Sequence, residues 1–561
     1  MKRSLILVAA LVALTGNTTP PLYDVLIEGG TIYDGTGSKP YLGDVGIRGT
    51  QIVAIGKAGS VKGKAKQIIN AKGLAVAPGF INMLSWSTDS FFVDGKSQSD
   101  IRQGVTLEVM GEGWSMGPIN EAMRTKALAD QTDIRYPMPW STLGQYLDTV
   151  AAKGVSPNIA SFVGATTVRI HVLGESDVDP TPEQLNQMRG LVRQAMNEGA
   201  MGVGSSLIYP PAAFAETPEL IALAGEAGKC GGMYISHMRN EGNGLLPAVD
   251  ELITIAREGK VPAEIYHLKQ SGEANWDKLD AVIAKVEAAR KSGLRITADM
   301  YTYPASSTGL TASIPLWVQE GGRAKMLERL ADPAVRERAA KEMEASSDVG
   351  ESAMNGRKAD GTLLLDFKKP EMRGLIGKTL AEVAKERGTS PAVTALNLIR
   401  EDESRVGVAY FTMSEANVAR QTALPWMAFG SDAGSTAPEG VFLLNSNHPR
   451  GYGNFARLLG KYVRDEKTTT LEDAIRRLTL FPATNLGIDK TRGKLANGYF
   501  ADVVLFDPAT IGDRATFESP KQYAVGMRHV FVNGTQVLKD GDHTGATPGQ
   551  VVRGPGYGKC S

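Results

Sequence analysis

Cysteine is scarce in this chain, with Cys230 and Cys560 the only two among 561 residues. So low a count excludes a small scaffold built on disulfides. Cys230 precedes a predicted strand and Cys560 lies in a glycine-rich tail. A disulfide needs Cα atoms within about 7 Å of each other. We therefore favour two unpaired thiols, with a single disulfide as the alternative.

Neither sign of charge is in excess, because Lys and Arg together number 61 and Asp and Glu together also number 61. Proteins that bind nucleic acid or another polyanion normally carry a basic face. The balance gives no indication of a nucleic-acid partner. Hydrophobic residues make up 42% of the chain and charged residues 22%, proportions that are ordinary for a folded soluble enzyme.

The chain opens on an apolar run, residues 5–14, that is too short to span a bilayer and follows the basic residues Lys2 and Arg3. This pattern predicts a signal peptide over residues 1–19. A retained membrane anchor or a buried helix is the alternative. No cysteine follows the run, which argues against a lipoprotein anchor. We therefore expect a periplasmic or secreted protein with no stable membrane insertion once the signal is removed.

Short β-type segments occur at both ends of the remaining chain, and strands alternate with helices between them. The terminal regions 20–76 and 486–561 predict one small β-sandwich built from both ends. The middle region, 77–485, predicts an α/β fold, a (β/α)8 barrel rather than a doubly wound sheet. An insertion at about 309–388 is placed to cover a substrate. The predicted barrel strands are 74–81, 105–110, 159–163, 202–205, 233–237, 264–267, 296–301 and 427–430.

Histidine is also scarce, with six residues in the chain, and two of them close predicted strands. His237 and His267 end the fifth and sixth strands, about one βαβ unit apart, and Asp432 follows the eighth. In a parallel barrel the strand ends converge on one mouth, so these three side chains are expected to face one another. Structural or exposed positions are expected for the other histidines, which are His171, His448, His529 and His543.

Two histidines and a nearby carboxylate are typical of a metal-dependent hydrolase. A catalytic zinc commonly has three His or carboxylate ligands and keeps a fourth position for water. Glu112, set between glycines just past the second strand, is the third candidate ligand, and a salt-bridged structural glutamate is the alternative. Manganese and iron share this ligand preference, so zinc leads among several metals.

Asp432 is the candidate acid/base residue. It would take a proton from a metal-activated water and return it to the leaving nitrogen. A nucleophilic serine mechanism is disfavoured because no nucleophile elbow is recognisable around the available serines, which are Ser85, Ser87 and Ser435.

With these residues located, the chain resembles the amidohydrolase superfamily and, within it, the D-aminoacylase (N-acyl-D-amino-acid deacylase) family. The resemblance implies hydrolysis of the N-acyl bond of a D-configured or otherwise unusual amino acid with a tightly bound zinc. By this likeness His237 and His267 fall on metal-ligand positions and Asp432 on the acid/base position. The matching motifs are Ala77-Pro-Gly-Phe-Ile81, Gly104-Val-Thr106, Ser236-His-Met-Arg-Asn-Glu-Gly242, His267-Leu-Lys269, Asp299-Met-Tyr301-Thr-Tyr-Pro304, Gly430-Ser-Asp432, His448-Pro-Arg450, Asp502-Val-Val-Leu-Phe-Asp507 and Val532-Asn-Gly534.

The same likeness places Lys269 and Tyr301 where relatives hold the substrate carboxylate. Lys269 lies two residues past His267, so both side chains point the same way from a strand. A cation and a phenol suit an anionic substrate. Trp86 and Arg239 complete the expected substrate-binding set.

The first strand departs from the family pattern. Most relatives carry His-x-His there, whereas this chain has Leu84 and Trp86, neither of which can ligate a metal. A cysteine that many relatives place after the second strand is replaced by Glu112 or Gly113. In D-aminoacylases the first-strand pair serves a weaker, second metal position, so we expect one ion and retained activity. Trp86 is expected to fill that volume and wall the pocket.

Three functional hypotheses follow. The first is a mononuclear metal-dependent amidase acting on an N-acyl, D-configured amino acid or small peptide-like amide, a small-molecule substrate with a carboxylate. The second is a hydrolase of another amide, lactam or ester on the same fold, with or without metal, because fold does not fix the reaction. The third is an inactive exported binding protein, against which the retained Lys269, Tyr301 and Asp432 argue. Each is compatible with a homo-oligomer.

Overall fold

The computed structural model of the protein describes residues 22–345 and 359–560. The predicted signal peptide, residues 1–19, lies outside the described residues. Among the residues that are described, no helix combines the length and the apolarity that a bilayer span requires.

The strands of the described chain are numbered in chain order. They are β1 (Tyr23–Ile32), β2 (Tyr41–Arg48), β3 (Gln51–Lys57), β4 (Ala65–Asn70), β5 (Ala75–Pro78), β6 (Phe80–Asn82), β7 (Val105–Met110), β8 (Asn158–Ser161), β9 (Val163–Gly164), β10 (Gly202–Ser206), β11 (Met233–His237), β12 (Ala263–Ile265), β13 (Ile296–Met300), β14 (Ser306–Gly309), β15 (Thr362–Asp366), β16 (Gly407–Tyr410), β17 (Met427–Phe429), β18 (Val503–Phe506), β19 (Met527–Val532), β20 (Thr535–Lys539) and β21 (Asp542–His543).

The α-helices are numbered in the same way. They are α1 (Gln98–Ile101), α2 (Glu121–Asp130), α3 (Leu143–Lys153), α4 (Ala165–Leu173), α5 (Pro182–Asn197), α6 (Thr217–Lys229), α7 (Leu245–Glu258), α8 (Leu279–Lys291), α9 (Leu316–Gln319), α10 (Gly322–Ala331), α11 (Pro333–Glu344), α12 (Leu380–Arg387), α13 (Pro391–Asp402), α14 (Glu415–Gln421), α15 (Arg450–Arg457), α16 (Leu471–Leu478) and α17 (Leu480–Asn485).

One sheet is built from both ends of the chain. Its strand order is β21-β20-β19-β18-β5-β1-β2-β3, and β4 pairs with β1. The two ends join at the antiparallel pair β18–β5, where Val504 lies opposite Ala77. Apolar side chains from both ends, among them Ile27, Val45 and Phe531, form a core belonging to this sheet.

The predicted strand 74–81 is two strands rather than one. Its first half, β5, belongs to the sheet of both termini, and its second half, β6, begins the barrel. The chain changes partners at Gly79, whose N–H donates to the Asp502 carbonyl at 2.9 Å, while the next N–H, of Phe80, donates to Gly104 at 2.9 Å. A Cβ at Gly79 would lie 2.0 Å from Thr106 Oγ1, so glycine is required at this close approach. The Pro78-Gly79 dipeptide at this point is the sequence signal of the break, because Pro-Gly marks turns.

The middle of the chain forms the (β/α)8 barrel. Its parallel strands are β6, β7, β8 with β9, β10, β11, β12, β13 and β17, found in two paired groups. Strands β6 and β17 are brought together by a bridge between Ser85 and Ala433, and the Asp432 N–H donates to Leu84 at 2.9 Å. Side chains such as Val109, Ile235 and Tyr266 pack the interior. The barrel is therefore closed, and the carboxyl ends of all these strands meet at one mouth.

The barrel helices begin where the sequence supplies caps. At the start of α5 the Thr181 hydroxyl accepts from the Gln184 N–H, the Gln184 side chain accepts from the Thr181 N–H, and Pro182 occupies the first turn. Met188, Val192 and other apolar side chains three or four residues apart are buried against the barrel. Such helices form the outer layer that fixes the strands.

An inserted unit with its own core separates β13 from β17. It contains the antiparallel sheet β14-β16-β15 and the helices α9 to α13. Leu310, Leu364 and Tyr410 belong to a core distinct from that of the barrel. The unit thus continues past the predicted boundary near residue 388, because β16 pairs with both β14 and β15.

Cys230 and Cys560 form a disulfide, with their Cα atoms 5.3 Å apart and 330 residues between them in sequence. The prediction of two unpaired thiols is therefore wrong. Cys230 caps the carboxyl end of helix α6. The C-terminal tail crosses the barrel so that Gly556 lies against the Cys230 and Met196 carbonyls. A bond between sites so distant in sequence ties the end of the chain to the barrel.

Breaking this bond should lower stability without touching the barrel mouth. We expect Cys560→Ser to lower the free energy of unfolding by about 2–4 kcal/mol, as is typical when a native disulfide is lost. Denaturant unfolding of the wild type with and without reductant, beside the variant, measures the effect. The Cys230→Ser variant should behave like Cys560→Ser, and reductant should change neither. Two reactive thiols in the denatured, unreduced wild type would contradict the bond.

Candidate active site

A cavity of about 480 Å³ opens at the carboxyl ends of the barrel strands. Its floor carries side chains from β-strand ends that are far apart in sequence, including Glu112, His237, His267 and Asp432. The inserted unit contributes part of the wall. This is the position at which barrel enzymes place their chemistry.

Glu112, His237 and His267 lie together on the cavity floor and are all buried. The Glu112 Oε1 atom is 3.0 Å from His237 Nδ1 and 2.8 Å from His267 Nε2. The two imidazole rings are 4.5 Å apart and nearly perpendicular. One carboxylate oxygen and two ring nitrogens therefore converge on a single point, as the ligands of one metal ion must.

The local backbone explains how Glu112 reaches this point. Gly111 and Gly113 on either side have φ values of +103° and +68°, and a Cβ at Gly111 would meet the Phe162 carbonyl oxygen at 2.3 Å. Two glycines thus turn the chain sharply after β7 and direct the carboxylate inward. His237 is the last residue of β11, and His267 follows β12 with a φ of +34°.

Glu112 and His267 stabilise each other's charged forms. Burial opposes ionisation of Glu112, but the imidazoles of His267 and His237 hold its pKa at about 2. Burial and the Lys269 ammonium oppose charge on His267, yet the carboxylates of Glu241 and Glu112 raise its pKa to about 10. The site thus stabilises positive charge between its carboxylates. Nitrogen and carboxylate donors of this kind fit zinc, manganese or iron.

Glu241 was not predicted from the sequence, yet it lies beside both histidines. Its carboxylate is 3.0 Å from His267 Nδ1, 3.7 Å from His237 Nε2 and 2.7 Å from Lys269 Nζ. Carboxylates that hold the outer nitrogen of a metal-ligating histidine fix the orientation of its ring. Its signal was its place in the Ser236–Gly242 motif, four residues after His237.

Asp432 follows β17 and faces the same cavity. Its φ of +49° is in the left-handed region, and its N–H donates to the Leu84 carbonyl at 2.9 Å. The Trp86 indole N–H donates to one carboxylate oxygen at 3.1 Å, and Arg450 Nη2 lies 2.8 Å from the other. Both oxygens are therefore held by donors from two separate elements.

A buried cationic group lies next to Asp432. Lys269, Tyr301 and Arg450 are each almost fully buried and line the cavity. The Arg450 guanidinium is 4.5 Å from the centre of the Tyr301 ring, and Lys269 Nζ is 5.6 Å from it. Burial, offset only in part by Lys269, raises the pKa of Tyr301 to about 12, so its hydroxyl stays a donor.

Arg450 was also missed by sequence reasoning, although the His448-Pro-Arg450 motif contains it. Within the described chain its Nε and Nη1 atoms are buried and lack a hydrogen-bond partner. Unpaired buried guanidinium nitrogens call for an anionic ligand. His448, on the same segment, lines the cavity but has a structural role there, because both its ring nitrogens contact backbone atoms, of Ala305 and Arg450.

Arg239 does not belong to this site. Its guanidinium pairs with the Glu251 carboxylate at 2.9 Å and donates to the carbonyls of Ala213 and Ala215 at 3.0 and 2.8 Å. It lines a separate surface groove and not the cavity. The structure therefore does not bring Arg239 together with the other predicted substrate-binding residues, because a helix carboxylate and two carbonyls hold its guanidinium elsewhere.

The two first-strand positions behave differently. Leu84 is fully buried in the barrel core, whereas Trp86 is 37% exposed and lines the cavity. Within the described residues, Glu112, His237 and His267 are the group of His, Cys, Asp and Glu side chains close enough to hold a metal. The arrangement offers one ion its ligands. Ser85, Ser87 and Ser435 are buried in a hydrogen-bonded group and do not line the cavity.

Comparison with known sequences matches this chain to a family model and to a relative over nearly its whole length. The amidohydrolase family model matches residues 67–538. D-aminoacylase of Alcaligenes xylosoxydans xylosoxydans is 32% identical over 531 residues, which cover 94% of this chain and 97% of that protein.

Solved structures similar to this chain include an N-acyl-D-glutamate deacylase and a D-aminoacylase. N-acyl-D-glutamate deacylase of Bordetella bronchiseptica, complexed with zinc and a phosphonate mimic of the tetrahedral intermediate, is 31% identical with a TM-score of 0.77, covering 95% of this chain and 99% of that one. A D-aminoacylase structure described for its binuclear metal centre, with one-metal activation and second-metal attenuation, is 32% identical with a TM-score of 0.78, covering 95% of this chain and 100% of that one.

Proposed function

This chain belongs to the amidohydrolase family, and from that premise we propose that it hydrolyses the amide bond of an N-acyl-D-amino acid with one bound zinc ion. One arrangement supports this function above the others. Three convergent metal donors lie beside a carboxylate, Asp432, and a buried cationic group that is suited to a substrate carboxylate. The relatives named above act on substrates of this class.

Glu112, His237 and His267 would hold the ion. Bound there, it supplies Lewis acidity that activates water and polarises the amide carbonyl. Trp86 and Leu84 offer no ligand for a second ion, which supports a count of one.

The remaining steps belong to side chains of this protein. Asp432 accepts a proton from the attacking water and delivers it to the amide nitrogen, so that water adds across the C–N bond to give a carboxylic acid and an amine. Lys269, Tyr301 and Arg450 hold the substrate carboxylate and so fix the amide over the metal donors. Because Arg450 also touches Asp432, an incoming carboxylate competes for the guanidinium and frees one oxygen of Asp432.

A substrate panel tests the proposal. Purified protein is assayed for amine release from matched N-acyl-D- and N-acyl-L-amino acids, and its metal content is measured before and after chelation. Release from the D series that is lost on chelation and restored by zinc supports the proposal. Hydrolysis only of lactams or esters, or activity that survives complete metal removal, contradicts it.

Arg450 should favour substrates that carry a carboxylate over those that do not. We expect Arg450→Lys to lower kcat/KM about 10- to 100-fold for N-acyl amino acids, because charged hydrogen bonds contribute about 1.5–3 kcal/mol and lysine lacks the guanidinium fork. The corresponding carboxamides should lose far less. Arg239→Lys, outside the cavity, is the matched control and should leave both substrates unaffected. Equal losses for acids and carboxamides would show that Arg450 acts only through Asp432.

We further propose that the protein is exported. The basic residues Lys2 and Arg3 followed by an apolar run support this location. A disulfide between Cys230 and Cys560 is the kind of bond that persists in oxidising compartments. N-terminal sequencing of protein from periplasmic and cytoplasmic fractions tests the proposal, and an intact N-terminus in the cytoplasmic fraction would contradict it.

A further inference from the structure

Two tryptophans present exposed faces to the cavity. Trp86 is 37% exposed and Trp114 is 40% exposed, and both line the cavity. The other tryptophans are packed or engaged elsewhere: Trp140 in an aromatic stack, Trp426 in the core, Trp276 with Thr412 and Trp317 with Glu342 and Arg338. Large aromatic surfaces left open in a cavity are characteristic of ligand sites.

The barrel order places these tryptophans around the cavity. Trp86 follows β6 and Trp114 follows β7, and the loop after β10 adds the partly buried residues Ile208, Tyr209 and Pro210. The four residues Trp114, Ile208, Tyr209 and Pro210 form an apolar arc over the second to fourth barrel strands. Trp86 lies next to the eighth strand, where it donates to Asp432. The cationic group lies beyond the sixth to eighth strands instead. The metal donors, from the second, fifth and sixth strands, meet on the cavity floor.

A substrate that spans the floor has only one orientation that satisfies both sides. Its carboxylate lies at Arg450 and Lys269, and its reacting carbonyl lies at Glu112 and the histidines. The acyl group, on the far side of the carbonyl, then points into the apolar arc. The ring of Tyr209 is fixed there, edge-on to His237 at 5.4 Å.

We infer that this apolar arc is an acyl subsite that selects flat, aryl-bearing acyl groups such as phenylacetyl over acetyl. The inference rests on the proposed amide hydrolysis and adds the class of acyl group. A pre-formed pocket that buries extra apolar substrate surface typically discriminates by 10-fold or more. We expect kcat/KM for an N-phenylacetyl-D-amino acid to exceed that of its N-acetyl counterpart about 10-fold or more.

Trp114 is the position to change, because Trp86 also touches Asp432. Trp114→Leu should reduce the phenylacetyl-to-acetyl ratio of kcat/KM about 10-fold, and Trp114→Phe should keep most of it. Trp317→Leu, the same substitution on the inserted unit away from the cavity, should leave the ratio unchanged. Circular dichroism of each variant confirms that it has folded.

Binding measured without turnover separates this inference from the proposed reaction. The two ligands are titrated by calorimetry into the Asp432→Asn variant, in which the asparagine oxygen can still accept from Trp86. Equal hydrolysis and equal binding of both compounds would overturn the acyl subsite while leaving amide hydrolysis intact. Tighter binding of the phenylacetyl compound with no hydrolysis by the wild type would support the subsite and overturn the reaction. No preference in either measurement, with no hydrolysis, would overturn both.

Discussion

Glu112→Ala and His267→Ala should each be isolated with almost no bound metal and should lose at least about 10³-fold in kcat/KM. The loss follows because a catalytic cation contributes several kcal/mol to transition-state stabilisation, and each 1.36 kcal/mol is a factor of ten in rate. Elemental analysis of the purified proteins measures the metal, and steady-state amine release measures the rate. One equivalent of metal is expected in the wild type.

Two further variants test whether Glu112 binds the metal as a ligand or only balances its charge. Glu112→Cys exchanges one kind of zinc ligand for another and should keep the metal. Glu112→Gln keeps the shape of the side chain but removes its charge and should lose most of it. Glu226→Gln is the matched control, since Glu226 is a buried carboxylate paired with Arg189, Arg193 and Lys229 outside the cavity. Wild-type protein that holds no metal and works equally well after chelation would contradict the role of Glu112.

The strand-end residues of the site could be predicted because strand geometry is regular. His237, His267 and Asp432 each close a short apolar run, and parallel strands of a barrel end at the same mouth. Glu112 could be found in the same way, since it follows a run and is flanked by glycines. The structure brings these four side chains into one cavity.

The positions of residues beyond the strand ends are not fixed by regular strand geometry. Glu241 and Arg450 lie in a loop and at the start of α15, and their contacts depend on how irregular chain returns to the mouth. Arg239 lies away from the other predicted residues for the same reason, because Glu251 on α7 pairs with its guanidinium outside the cavity. In each case the sequence motif marked the segment but not the direction of the side chain.

Contacts between residues far apart in sequence could not be predicted either. Cys230 and Cys560 meet only because the C-terminal tail folds back along the barrel. The break at Gly79 between β5 and β6 depends on the Thr106 side chain of the neighbouring strand. The disulfide has no local sequence signal, so only the assembled fold reveals it. The break has one in Pro78-Gly79, but the dipeptide does not show which strands pair on either side of it.

Asp432→Asn should lower kcat about 10²- to 10⁴-fold, the usual contribution of a general acid/base, while leaving metal content nearly unchanged. Asparagine keeps an oxygen for the Trp86 indole but cannot accept a proton at the working pH. Trp86→Phe keeps a ring in the cavity and removes only the donor to Asp432, so it should cost about 2- to 10-fold, as expected for one hydrogen bond. Loss of metal in Asp432→Asn would identify Asp432 as a ligand rather than an acid/base.

A thioester analogue of the substrate distinguishes the two proton transfers assigned to Asp432. An amide nitrogen must be protonated before it leaves, whereas a thiolate leaves without a proton. The fold decrease in kcat caused by Asp432→Asn should therefore be smaller for the thioester than for the amide. The difference between the two decreases measures how much proton delivery to the nitrogen contributes. Equal penalties for both compounds would restrict Asp432 to accepting the proton of water, and some other group would then have to protonate the amine.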